Sequence, residues 1–125
     1  MSPHPACASM LEILSDAQPV MQDWRRRFHA NPELGFEESA TSDFIAGKLA
    51  EFGYEVHRGL GGTGVVGQMK AGTSARSIGL RADMDALPLH EANSFEHRST
   101  CAGKMHACGH DGHAAALLGA AKYLA

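Results

Sequence analysis

The sequence predicts an α/β fold. Three observations lead there: apolar residues at helical spacing in the first half, short apolar segments between glycines in the middle, and a strongly helical stretch after a long polar segment. Val20, Met21, Trp24 and Phe28 fall at i, i+1, i+4 and i+8, which is one stripe of a helix, with Trp24 in the core. Ser15 or Asp16 can cap that helix, Pro19 is tolerated in its first turn, and the helix should run to about Ala30. Residues 1–15 are then expected to form a flexible tail, with 16–125 as the folded part.

Asn31-Pro32 stops the first helix, because a residue before proline is pushed out of the helical region. NPELGFEE leads into a second helix, Ser39 to Phe52, with Phe44, Ile45, Leu49 and Phe52 on its buried face and Gly53 as terminator. Tyr54–His57, Gly64–Met69 and Ser77–Ala82 are strand candidates, with Gly59, Gly61, Gly62 and Gly72 marking the turns. Residues 83–107 read as a long functional loop with a short strand near Lys104–His106. From about Asp111, HAAALLGAAKYLA favours a helix. Leu117, Leu118 and Leu124 in it have few partners left in the sequence, and the helix lacks a closing cap, so a truncated chain is expected.

Composition narrows the function. The chain has 125 residues, the length of one domain, and 44% hydrophobic with 20% charged residues is globular rather than disordered. Eleven basic and 14 acidic residues give a net charge of −3, which speaks against a nucleic-acid partner. Arg25, Arg26 and Arg27 read as one solvated helix turn. No run of 18 apolar residues exists, so neither a transmembrane helix nor a membrane partner is expected. The opening lacks a basic n-region, and Glu12 interrupts its short apolar run; cytoplasm is the expected location. Three cysteines, Cys7, Cys101 and Cys108, suit thiol or metal chemistry better than a disulfide scaffold. Of eight histidines, four (His97, His106, His110 and His113) fall close together near the end.

Three segments carry candidate chemistry. In MHACGHDGH, Cys108 and His110 flank Gly109, and thiolate with imidazole is a common transition-metal ligand pair. The helix N-terminus that follows favours a thiolate at Cys108, and His113 can share a helix face with His110. Two ligands do not complete a catalytic zinc site, which usually has three plus water. A buried cysteine beside a surface histidine explains the pair as simply. In GLRADMDALP, Asp83 and Asp85 sit at the carboxyl end of a strand candidate, where they can bind an ion, orient a ligand histidine or merely cap the strand. In HANPELGFEE, His29 and three acids surround what reads as a capped helix–turn–helix.

Taken together, RRRFHANPELGFEE, GLRADMDALP and GKMHACGHDGHAAALLGAA resemble the amidohydrolase branch of the M20 metallopeptidase family, which includes hippurate hydrolases, N-acetyldiaminopimelate deacetylases and plant auxin-conjugate hydrolases. The resemblance covers roughly residues 20–125. It implies the N-terminal portion of a zinc-peptidase-like catalytic domain, with a mixed or parallel sheet flanked by helices. It implies metal-dependent hydrolysis of N-acyl amino acids by the full-length protein, as a monomer or homodimer. One or two divalent ions (Zn, or Mn, Co or Ni) would be the cofactor. Cys108 and His110 match the metal ligands, and Asp85 matches an orienting residue behind the site. Asp83 stands where other branches carry a histidine ligand. His29 and Glu33 match a segment of structural character. The general-base glutamate, further ligands and a lid or dimerisation domain would lie beyond Ala125, so the 125 residues alone should be inactive. Two alternatives remain: a non-catalytic metal-binding module using Cys108 and His110, and a thiol protein acting through Cys101 and Cys108.

Overall fold

The computed structural model describes residues 5–125, which form three helices and one hairpin. Helix α1 spans Pro5–Ala30, α2 Ser39–Glu51 and α3 His110–Leu124; strands β1 Glu55–Leu60 and β2 Gly64–Gln68 pair in antiparallel fashion. The α/β class therefore holds. The sheet is the two-stranded hairpin, and the mixed character expected of it is confined to two isolated bridges, Leu34 with Ala86 (parallel) and Leu87 with Met105 (antiparallel). No described helix is long and apolar enough to cross a membrane.

The core forms where α1 meets α3. Trp24, Phe28, Ala114, Ala115 and Leu118 are buried together, and Met21, Phe44, Ile45, Leu49 and Phe52 pack against them. Both stripes expected from helical spacing thus face one cluster. Phe28 meets Phe44 edge to face at 5.4 Å, and Trp24 lies 6.1 Å from Phe52, both within the range of favourable aromatic pairs. Alanines line α3 so that α1 can approach closely. At Gly119 a Cβ would sit 2.5 Å from the Met21 methyl, so a side chain there would displace Met21. The hairpin packs on α2 through Gly67 against Leu49, and the Tyr54 hydroxyl donates to the Ala121 carbonyl at 2.7 Å, tying the hairpin to α3.

Five expectations need correction. The tail expected over 1–15 is helical from Pro5 onward, while residues 1–4 lie outside the described residues. Met10, Leu11 and Leu14 are good helix formers, so propensity carries α1 past Pro19, which lies inside the helix rather than in its first turn. Val20 is exposed, at the edge of the stripe rather than within it. Ser77–Ala82 is not a strand: Ile78 and Leu80 are exposed, because no described segment lies alongside to take up the backbone hydrogen bonds a strand requires. Leu118 is 2% exposed, so α1 supplies the partner that was not evident in the sequence.

Leu118 carries the α1–α3 contact. Leu118→Ala should lower stability by about 2–5 kcal/mol in urea unfolding, whereas Leu124→Ala, at an exposed position, should stay within about 0.5 kcal/mol.

Candidate functional site

The chain between β2 and α3 has almost no regular structure, so single contacts position it. Ala86 N–H donates to the Glu33 carbonyl at 2.8 Å, and Leu87 and Met105 exchange two backbone hydrogen bonds of 2.9 and 3.0 Å. These hold Asp85 beside the start of α3. Gly109 precedes that helix with φ 88°, a left-handed conformation that suits glycine. Cys108, on one side of this bend, is exposed, and the side chain of His110 on the other is largely covered.

His110 is held by Asp85. Its Nδ1 lies 2.9 Å from Asp85 Oδ1 and 3.0 Å from the Asp85 carbonyl oxygen. Two acceptors facing Nδ1 place the proton there, so Nδ1 donates and Nε2 keeps its lone pair. This is the arrangement in which a carboxylate fixes the tautomer of a metal-binding histidine. Nε2 lies 4.0 Å from Asp83 Oδ2, and the His113 ring centre is 5.9 Å from that of His110. Asp83 is also bound by Arg81 at 3.0 Å, and that hydrogen bond and charge, with smaller help from His110 and His113, hold its carboxyl below the usual range. The structure thus brings Asp85, Asp83 and His110 together. Among the described residues, no group of three or more His, Cys, Asp or Glu side chains is arranged to hold an ion. The donor chemistry fits a transition ion in kind, with an imidazole nitrogen, a thiol two residues before it and a carboxylate, but does not complete a site.

A second cluster lies behind the first. His29 is buried, with Nδ1 2.8 Å from Asp111 Oδ2 and Nε2 3.0 and 3.1 Å from the two Glu91 oxygens. Each ring nitrogen of His29 thus faces a carboxylate, so the one ring bridges two acids. Arg25 Nε donates to the same Asp111 oxygen at 2.9 Å, so this arginine is engaged rather than purely solvated. Burial raises the Glu91 pKa, but hydrogen bonds from His29, the Ser99 backbone and Asn93 outweigh it and bring the group down to about 2. Asp111 is lowered in the same way, burial being overcome by His29, the Gly112 N–H and Arg25. His106 adjoins the cluster, 6.5 Å from His29 between ring centres. Both its nitrogens are buried without hydrogen-bond partners among the described residues, and desolvation lowers its pKa. Glu33 caps α2: its carboxylate accepts from Ala40 N–H at 3.1 Å and from Thr41 N–H and hydroxyl at 2.6 and 2.5 Å.

Sequence reasoning singled out Asp85, Cys108, His110, His29 and Glu33 but missed Arg25, Glu91 and Asp111. Asp111 gave one sign, an acid in the first turn of a helix, while Glu91 stands in an irregular segment where nothing marks it.

The profile described as Peptidase family M20/M25/M40 matches residues 79–125, a stretch that contains Asp83, Asp85, Cys108 and His110. The chain is 56% identical over 114 residues to a hippurate hydrolase of Campylobacter jejuni, covering 91% of this chain and 30% of that protein. It is 49% identical over 100 residues to an N-acyl-L-amino acid amidohydrolase of Geobacillus stearothermophilus, covering 79% and 27%. The crystal structure of Bacillus subtilis YXEP, described as a dinuclear metal binding peptidase of the M20 family, superposes with a TM-score of 0.82 at 36% identity, over 88% of this chain and 31% of that one. The chain belongs to peptidase family M20/M25/M40. This M20 chain spans about 30% of the length of the hippurate hydrolase it matches.

The acidic cluster fixes a pH dependence. The Glu91 pKa is depressed by folding, so its contribution is fully present above the ordinary value of 4.5 and is lost as pH falls toward about 2. Urea unfolding measured from pH 5 to pH 2 should therefore show a steep fall in stability for the unmodified chain. Glu91→Gln should flatten that slope; an equal slope in both would show that Glu91 is not a source of it.

Proposed function

We propose that the protein carrying this M20 chain hydrolyses the amide bond of N-acyl amino acids at a centre of one or two divalent ions, with Cys108 and His110 as ligands. The single observation that carries the reading is the Asp85–His110 pair, in which Nδ1 is committed to a carboxylate and Nε2 is left to bind an ion. The names of the relatives support the substrate class: one is a hippurate hydrolase and another an N-acyl-L-amino acid amidohydrolase. The soft thiolate of Cys108 favours zinc, with manganese, cobalt and nickel as the other candidates. A cytoplasmic setting, which keeps Cys101 and Cys108 reduced, belongs to the same reading.

When bound, such an ion supplies Lewis acidity, activating water and polarising the scissile carbonyl. The residues present do the holding. Asp85 orients the His110 ring and raises its basicity as a ligand. Asp85 is engaged by His110 and Asp83 by Arg81, so neither is assigned the role of general base. Two protein ligands fall short of the three usual for catalytic zinc, so the 125 residues alone should turn over no substrate.

The test is release of glycine from N-benzoylglycine by the gene product in full, before and after chelation and on return of each ion. Chelation and either Cys108→Ala or His110→Ala should abolish turnover. Asp85→Asn should cost about 10–100-fold in metal affinity or activity. Full activity in chelator, or in Cys108→Ala, would sink the proposal. Metal binding without hydrolysis of any N-acyl amino acid would favour a binding module instead.

A further inference from the structure

We propose that His29 is a positioning residue for the candidate metal centre: by clamping Asp111 and Glu91 to the end of α1, it fixes the segments that carry His110, Asp85 and Cys108. The inference rests on the reading that Cys108 and His110 ligate an ion, and adds what holds them in place.

The cluster joins three segments. His29 lies in the last turn of α1, Glu91 in the irregular segment that begins after β2, and Asp111 in the first turn of α3 beside His110. His110 is therefore fixed twice, at its ring by Asp85 and through its neighbour Asp111 in the backbone. The irregular segment is fastened to the same end of α1 at further points. Thr100 donates its N–H and its hydroxyl to the Ala30 carbonyl at 2.9 and 2.7 Å, and Ser99 N–H donates to Glu91 at 2.7 Å. Stability alone does not call for such a device. The side chains of His29, Asp111 and Glu91 are 4%, 2% and 2% exposed, and buried ion pairs are often no more stabilising than apolar residues of equal volume. What the His29 ring provides is geometry. Its two nitrogens are held apart by a rigid ring, so it sets the separation of two carboxylates, which a flexible lysine would not. Arg25 holds Asp111 from a second direction.

Cobalt(II) titration of the full-length protein, read by visible absorption, tests this without relying on turnover. Cys108→Ala identifies the thiolate band. Glu91→Gln and His29→Gln should bind cobalt about 10–100-fold more weakly, with shifted ligand-field bands. Ile45→Ala, a core variant without a link to the cluster, should leave affinity and bands unchanged at a comparable loss of stability. Should both cluster variants fail to fold, Arg25→Lys, at a half-exposed position, serves in their place with a smaller loss in the same direction. Folded variants that bind cobalt with the unmodified affinity and spectrum overturn the positioning role alone. An unmodified protein that shows no band sensitive to Cys108→Ala overturns the metal reading, and this inference with it.

Discussion

The contact on which the rest of this structure depends is the buried imidazole of His29 between Asp111 and Glu91. A carboxylate taken out of water without a partner is too costly for a marginally stable chain to carry, and here two are buried within one hydrogen bond of the same ring. Removing the histidine would strip two buried carboxylates of their shared partner, at a cost of about 3–5 kcal/mol. The cluster must therefore form as a unit. When it does, it pins the end of α1, the start of α3 and the irregular chain between them. The apolar cluster of Trp24, Phe28 and Leu118 brings α1 and α3 together but leaves their relative slide loosely specified, because alanines line much of the contact on α3. The directional hydrogen bonds at one end complete the register.

What could be read from the sequence follows from how local each cause is. The helical stripes of Met21, Trp24 and Phe28 and of Phe44, Ile45, Leu49 and Phe52 were legible because both ends of the pattern lie within a few turns. The hairpin was legible because glycines mark its turn. The start of α1 was not, since the reading followed apolar periodicity while the first half of that helix rests on propensity, with Leu11 and Ile13 exposed. Ser77–Ala82 has the composition of a strand but not the neighbour, and pairing is a property of two segments. The charged cluster links residues 62 and 82 positions apart, a separation at which no spacing rule operates.

The candidate site divides in the same way. The C-x-H spacing of Cys108 and His110 is local and could be seen at once. The partnership of Asp85 with His110 spans 25 positions; position at a strand end left orienting a histidine as one of several readings, and the family resemblance singled out Asp85 for it. The fold explains why it forms: Leu87 pairs with Met105 and Ala86 with Glu33, so the residue before them is delivered to the first residue of α3. His29 and Glu33, which the sequence marked as structural, are so for different reasons. Glu33 accepts from two free N–H groups of α2, while His29 joins two buried carboxylates.

The acids at positions 85 and 111 divide the task of holding α3. Asp111 is buried and engaged by both His29 and Arg25, so it has no freedom and serves as an anchor. Asp85 remains partly exposed and meets His110 through one side-chain oxygen and its own carbonyl. A ligand histidine needs this second kind of support: firm enough to fix the tautomer, yet open enough for the ring to meet an ion from the far side. An acid as buried as Asp111 in that place would close the far side as well. The buried pair sets where the helix begins, and the exposed pair sets how its first side chain faces the solvent. Chemistry at Nε2 is possible because the two functions fall on different carboxylates.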